Sequence, residues 1–385
     1  MPWLETEPMN ERLKFIAAYL NNEDATFIEL CERFNISTKT GYKHLNRFKA
    51  EGIDGLKERS SRPFHNANRM PELIEENILT VKQRHPTWGA KKVLNWLNQE
   101  QSHTQWPAKS TIDDLFKRHH LIKPRKRKKQ VAPYTEPFLL CQNPNDIWSI
   151  DYKGHFRLGN KEYCYPLTVT DNFSRYLLAV EGAKRISLEQ AKRVLTLLFS
   201  EFGLPLAMRS DNGVPFAGTG LGGLSQLAIW LIKLGIIPER IRKGHPEENG
   251  RHERMHFTLK QETALPPQYD QKKQQACFNK FKTIFNEERP HEGINFNRPA
   301  WLYASSDRKL PKKFAPIEYD SNFNYTRNIR TNGTIKWLGK ELFISNLLIG
   351  ERIALKPRTE EEWVIYFSFF PIGVFNERLQ KVIKI

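Results

Sequence analysis

The hydrophobic period changes twice along this chain, and those changes limit what it can fold into. Up to about residue 120, apolar residues recur at helical spacing. From about residue 145, short apolar strands alternate with helices, and the last sixty or so residues are rich in short strands. A chain of 385 residues with three textures is too long for one ordinary domain and is expected to form two to four.

In the first stretch, Leu13, Ile16, Ala17 and Leu20 mark one helix, and Phe27, Leu30, Cys31 and Phe34 a second. Ser37 is placed to cap a third that runs to about Lys49 and carries Lys39, Lys43, His44 and Arg47. Glycines 52 and 55 close the unit. Two short helices across a tight turn, the latter basic, are what a helix-turn-helix needs, so residues 1–60 are expected to bind DNA. The pattern recurs at 68–122. Leu73, Ile74, Ile78 and Val81 mark one helix, and Val93, Leu94, Trp96 and Leu97 another. Ser110 is expected to cap a third through Ile112, Leu115 and Phe116, with Lys109 and Lys117 as candidate DNA contacts. The repeat has no fixed period, which argues against a solenoid.

Lysine and arginine total 60 against 43 acidic residues, a formal net charge of +17. The excess is uneven: residues 1–100 are nearly neutral, while 101–200 carry 17 basic and 9 acidic side chains. Its sharpest feature is Arg125-Lys126-Arg127-Lys128-Lys129, flanked by Pro124 and Pro133, an exposed linker (123–144) able to lie along phosphates. Such a charge points to a polyanionic partner, most simply nucleic acid. A membrane surface is the rival, yet the most apolar stretch, Leu224 to Ile237, is interrupted by Ser225, Gln226 and Lys233. The first residues lack a signal peptide's basic flank and apolar core, so a cytoplasmic, nucleoid-associated protein is expected. Cys31, Cys141, Cys164 and Cys277 lie too far apart for a zinc knuckle or a disulfide framework.

From 145 the expected order is strand (148–156), strand (163–170), strand (176–181), helix (188–202), strand (206–210), helix (221–234), strand (237–242) and a helix from about 249. That order fits an α/β layer with a mixed sheet over residues 145–305. Beyond it, Asn332-Gly333 is a two-residue hairpin signal between 325–330 and 334–338, and further short strands suggest a small SH3-like β-barrel over 318–385.

Three carboxylates in the α/β segment stand where a metal site would be built. Asp151 lies inside the apolar strand W-S-I-D-Y, where a buried, unpaired carboxylate is costly. Asp211 ends the fourth strand in R-S-D-N-G, and Glu253 lies in the first turns of the helix beginning N-G-R-H-E-R. Carboxylates on two strands and one helix can converge on two Mg²⁺ ions about 4 Å apart, one beside the attacking oxygen and one beside the leaving oxygen of a phosphodiester. Asn249, Glu253, His256 and Lys260 fall on one helical face, and Lys260 is a candidate phosphate contact with its neighbour on the helix, Arg254. Asn212 is a candidate for positioning metal or DNA. Asp171, before Ser174-Arg175, reads as a turn cap.

W-S-I-D-Y, T-D-N-F-S-R-Y, S-D-N-G-x-x-F and H-P-x-x-N-G-x-x-E-R together resemble the catalytic core of insertion-sequence transposases and retroviral integrases, and most closely the transposases of bacterial insertion sequences. The resemblance implies a ribonuclease-H-like fold, dependence on Mg²⁺ (with Mn²⁺ able to substitute) and DNA strand transfer by Asp151, Asp211 and Glu253. The family's spacing of thirty-five residues between its second Asp and its Glu would pick Glu247; the motif's glycine-to-glutamate offset picks Glu253, with 41 residues intervening. The glycine-rich insertion 218–223 accounts for the longer spacing. No histidine–cysteine zinc set of the retroviral kind is present at the start.

The expected activity is therefore a transposase. The helix-turn-helix units would bind terminal inverted repeats, water would free a 3′-hydroxyl, and that hydroxyl would attack target DNA. Bringing two ends together requires at least a homodimer on double-stranded DNA. The alternatives are a nuclease of the same architecture that cuts without joining, or a DNA-binding regulator with a dead core. A generic RNA-binding protein would leave the three carboxylates unexplained.

Overall fold

The structure is a computed structural model that describes residues 8–21, 26–58, 70–122, 139–218, 220–242, 248, 250–320, 323 and 325–383. The basic run Arg125, Lys126, Arg127, Lys128 and Lys129 lies outside the described residues, as do His245, Glu247 and Asn249. The chain divides into two compact units, Met1–Arg69 and Met70–Ile385. Among the described residues no helix is long and apolar enough to cross a membrane.

The first unit packs three helices, α1 (Pro8–Leu20), α2 (Phe27–Arg33) and α3 (Thr38–Glu51), around Phe15, Ile16, Leu30, Cys31, Leu45 and Leu56. Its sequence signals act locally. Thr26 and Glu29 form a reciprocal capping box on α2, and the Ser37 hydroxyl accepts the Thr40 amide at the start of α3. Gly41 lets α3 approach α2 closely, since a β-carbon there would stand 2.6 Å from the Cys31 sulfur. Lys39 and Lys43 are exposed on α3, and Arg47 is half-buried.

The second unit opens with α4 (Glu72–Arg84), α5 (Ala90–Glu100) and α6 (Lys109–Arg118) around Ile78, Val93, Trp88, Ile112, Leu115 and Phe116. Lys82 donates to the carbonyls of Pro86 and Trp88, both at 2.7 Å, and so holds the turn between α4 and α5. Ser110 is not the cap of α6: the helix begins at Lys109 after Ala108, with no side-chain cap. Lys109 instead pairs with Asp113 at 2.5 Å, one turn on, and that ion pair supports the start.

A six-stranded mixed sheet follows, with β1 (Ile147–Tyr152), β2 (Phe156–Arg157), β3 (Tyr163–Asp171), β4 (Leu177–Ala183), β5 (Ala207–Ser210) and β6 (Ile237–Arg240). Its path is β2-β3-β1-β5-β6, with β4 also on β3; β1, β5 and β6 are parallel, and β3 is antiparallel to β1. One face carries α7 (Leu188–Phe202), capped by Ser187, with Ala191, Val194, Leu195, Leu198 and Phe199 against Trp148, Ile150, Leu167 and Val169. The other carries α9 (Gly250–Thr263) and α10 (Gln271–Thr283), with Met255, Leu259, Phe278 and Phe281 against Leu177 and Val180. A π-helical turn (Ile284–Glu288) and the short α11 (Pro299–Leu302) complete this region.

Helix α8 (Gln226–Lys233) explains the chain's most apolar stretch. Leu227, Leu231 and Leu234 join the core of the mixed sheet, whereas Leu224, Ala228, Ile229 and Ile232 join the core of the C-terminal domain. A helix packed on two sides must be hydrophobic nearly all round. The glycine-rich insertion ahead of it is clamped by Arg240, whose guanidinium donates to the carbonyls of Gly222 and Gly223.

The C-terminal region holds β7 (Tyr325–Asn328), β8 (Thr334–Trp337), β9 (Lys340–Phe343), β10 (Arg352–Pro357), β11 (Glu362–Phe367), β12 (Phe370–Asn376) and β13 (Lys381–Ile383). It differs from the expected SH3-like closed barrel. Five strands form an open antiparallel sheet, β13-β12-β11-β10-β7, and β8 and β9 form a separate hairpin. The Asn332-Gly333 turn exists, with Arg330 and Thr334 bonded across it at 2.9 Å, yet it does not found a β7–β8 ladder. Strand β7 pairs with β10, and β8 turns at Leu338-Gly339 to pair with β9. Trp337 is thereby buried against Tyr325, Trp363 and Phe375, so core packing outweighs the local turn signal.

Candidate active site

Strand register brings the first two carboxylates together. Residues alternate faces along a strand, and on β1 Trp148 and Ile150 enter the α7 core, leaving Ser149 and Asp151 to the α9 face. Strand β1 pairs with β5 so that Ser149 stands beside Arg209 and Ile150 beside Ser210. Asp211, the next residue, is level with Asp151 and on the same face. On the other side of β1, Asp151 is opposite Thr168 and Ser149 opposite Thr170. A polar stripe therefore runs across an otherwise apolar sheet.

Helix α9 lies over that stripe. His252 and His256, four residues apart, are both buried and reach the same hydroxyl: each Nε2 lies 2.7 Å from the Thr168 Oγ1. The Thr170 hydroxyl is 3.1 Å from His252 Nδ1, and Thr168 also donates toward the Asp151 carbonyl at 3.1 Å. Burial pushes His252 down to about 3 and His256 to about 2, so both rings are neutral at physiological pH. His256 Nδ1 faces Asp151 Oδ2 at 3.8 Å, and Asp151, His252 and His256 form a compact set of potential ligand atoms. Both nitrogens of His252 are taken by threonine hydroxyls, so the ring serves as a strut.

Asp151 is pushed up to about 7, first by burial, then by Asp211, with a smaller push from Glu253. Asp211 is half-buried and its Oδ1 accepts the Gly213 amide at 3.0 Å. Glu253 is exposed on α9, beside the buried pair rather than on it. The helical face expected to hold Glu253, His256 and Lys260 together is thus split: His256 turns into the sheet with Met255 and Leu259, while Glu253 and Lys260 lie at the rim. The ring needs the sheet's hydroxyls, and the charges need solvent. Asp151 thus stands near two further carboxylates, and carboxylate oxygens suit a hard divalent cation.

The remaining expected residues are spread more widely. Asn212 is exposed and donates to the Ile241 carbonyl at 2.7 Å, pinning the loop after β6. Lys260 lines a small cavity with Lys153 and His155. Arg254 points to a different cavity, beside Asn172 and Arg175. Lys117 pairs with Asp114 at 2.8 Å, so it and Lys109 are both neutralised by neighbours on α6. Asp171 is fully buried; its carboxylate accepts the amides of Asn145 and Ser174 and the Ser174 hydroxyl, which is a turn's work. Glu248, next to the spacing-rule candidate, is buried and bound by Arg242 at 2.7 Å. Sequence reasoning missed Thr168 and Thr170, although their alternation with apolar residues on β3 placed both on one face.

Known protein families match several stretches of the chain. The integrase core domain family matches residues 142–246, and a second integrase core family matches 234–299. A helix-turn-helix family matches 11–64 and a homeodomain-like family 40–116. An uncharacterized 31.7 kDa protein of insertion element IS407, from Burkholderia multivorans, is 24% identical over 60% of this chain and 80% of its own length. An uncharacterized 39.2 kDa protein of insertion element IS476, from Xanthomonas euvesicatoria, is 25% identical over 61% of this chain, and the match spans only 65% of that protein. Among solved structures, the HTLV-2 integrase catalytic core domain in complex with magnesium aligns with 42% of this chain and 97% of its own, at 19% identity and a TM-score of 0.33.

Proposed function

The chain belongs to the integrase-like DDE superfamily of bacterial insertion-sequence transposases, and from that premise we propose that it cuts the 3′ ends of its element and joins them to target DNA, with Asp151, Asp211 and Glu253 as the catalytic carboxylates. The observation that carries this reading is the β1–β5 register that levels Asp151 with Asp211, where burial first, then Asp211, and to a smaller extent Glu253 raise the Asp151 carboxyl. These three residues would hold the divalent ions, which supply Lewis acidity to the attacking and leaving oxygens.

The chain's own residues do the rest. Thr168, His252 and His256 fix α9 against β1 and β3, and Glu253 on that helix is near enough to raise the Asp151 carboxyl. Gly213 and Asn212 hold the turn that presents Asp211. Lys260 and Lys153 line the rim where a strand backbone would lie. The two helix-turn-helix units (1–60 and 68–122) would grip the terminal repeats, with Lys39, Lys43 and Arg47 on α3 as the expected reading surface. The linker 123–144 would join them to the core at 145–305, and the open β-domain at 318–385 is seated on α8. Two ends must meet in one reaction, so the working species is at least a dimer on DNA.

The test is a joining assay with labelled duplexes from DNA flanking the gene, a supercoiled plasmid and Mg²⁺. Wild type should give joined product and Glu253→Gln none, with DNA binding retained because Glu253 is exposed. Joining that survives Glu253→Gln but is lost in Glu247→Gln would sink the assignment. Cutting without joining would make the chain a nuclease.

A further inference from the structure

A cavity of 460 Å³ lies behind α9 and away from Lys260. Four distant segments frame it: α5, the turn after β3, the first turns of α9, and the π-helical turn with the loop that follows. Its lining is strongly cationic, with Lys92, Arg175, Arg251, Arg254 and Arg289 against only Asp171 and Glu292. Both acids are already spent. Asp171 accepts three hydrogen bonds inside its own turn, and Glu292 pairs with Lys91 at 2.6 Å. Arg289 is held by Glu262 at 2.7 Å, whereas Lys92, Arg251 and Arg254 have no side-chain hydrogen bond or ion pair among the described residues.

Asn172 supplies a second, independent sign. It is 5% exposed and lines the cavity; its Oδ1 accepts the Ser149 hydroxyl, but its buried Nδ2 has no acceptor among the described residues. A buried amide left without an acceptor beside unpaired cations is explained by a ligand that brings anionic oxygens. Burial and the neighbouring Arg289 push the Lys92 ammonium down to about 7, a cost that a bound anion would relieve. The cavity falls within the range of small-molecule sites, about 300–1,000 Å³, and is roomier than a bare phosphate needs. Phe285 and Met255 give it an apolar wall.

We propose that this cavity binds one nucleoside monophosphate unit, its phosphate held by Lys92, Asn172, Arg251 and Arg254 and its base against Phe285. The unit can come from two sources: an unpaired nucleotide of a bound DNA strand, or a free mononucleotide. Only the first rests on the transposase reading. Occupancy would tie α5 to α9, because the ligand bridges the second helix-turn-helix unit and the core. Thr170 lines the cavity and also bonds to His252, so the occupant would sit one residue from the network beneath Asp151.

The test uses the full chain in EDTA, where joining does not run, so a failure here and a failure in the joining assay read separately. The probes are deoxyadenosine 5′-monophosphate, deoxyadenosine, and a labelled duplex with or without one unpaired terminal nucleotide. Wild type should bind the monophosphate and not the nucleoside. Lys92→Ala and, on the exposed side, Arg254→Ala should each weaken it about tenfold or more, the effect of losing a hydrogen bond to a charged group. A matching loss on the overhanging duplex but not the blunt one identifies the DNA strand as the source, and a loss for the monophosphate alone identifies the free nucleotide. Equal binding of nucleotide and nucleoside would overturn the proposal. So would affinities unchanged in both variants, or an equal loss on the two duplexes.

Discussion

Replacing Asp151 with asparagine should make the metal-free protein more stable, and the gain should depend on pH. The folded chain holds the Asp151 proton up to about pH 7, while an unfolded chain releases it near its ordinary value of 3.8. Between those values the native state binds more protons than the unfolded one, so stability falls as pH rises. The cost is absent below about pH 3.8 and complete above about pH 7. A shift of roughly three units corresponds to a ceiling of about 4 kcal/mol. The side chain keeps 17% of its exposure, so about 2–4 kcal/mol is expected. Asparagine is nearly isosteric and uncharged, and removes that cost. Urea unfolding in EDTA should give Asp151→Asn a higher midpoint than wild type at about pH 8, with little difference near pH 4. Millimolar Mg²⁺ should raise the wild-type midpoint at pH 8 and leave the variant's nearly unchanged. A variant less stable than wild type at pH 8, or a gain of equal size at both pH values, would refute the reasoning.

Further substitutions probe the supports around the site. Thr168→Val removes the hydroxyl shared by two buried imidazoles and should cost about 2–4 kcal/mol of stability, visible as a lower urea midpoint. Ile232→Ala, on the face of α8 that meets the C-terminal sheet, should cost about 2–5 kcal/mol and speed proteolysis in the stretch between 303 and 325. Lys43→Ala should lower the salt dependence of DNA binding by about one unit of slope, and Lys117→Ala by less, because Asp114 already neutralises that ammonium. Arg240→Ala frees the carbonyls of Gly222 and Gly223 and should lower the midpoint by about 1–3 kcal/mol.

Much of the chain was legible because its signals are local. The period of apolar residues marked α7 at the bounds observed, and Ser37 caps α3 as expected, through a side-chain bond to the amide three residues on. Asp151 stood out because a carboxylate in an apolar strand needs a reason, and Asp171 because its spacing to Ser174 suits a turn. Local signals also misled where a longer-range contact was stronger. Ser110 gave way to the Lys109–Asp113 pair, and the Asn332-Gly333 turn to the burial of Trp337.

Apolar period, turn residues and motifs foretold most helices and strands in order and singled out Asp151, Asp211 and Glu253 as candidates. How those elements meet is a matter of register and packing. Parallel pairing of β1 with β5 levels Asp151 with Asp211, and antiparallel pairing with β3 sets Thr168 and Thr170 beneath His252 and His256. The two-sided burial of α8 and the cavity behind α9 join segments up to about two hundred residues apart. Periodicity and capping act over a few residues of one chain segment, whereas register, packing and the pairing of buried charge are properties of surfaces that exist only once the segments have met.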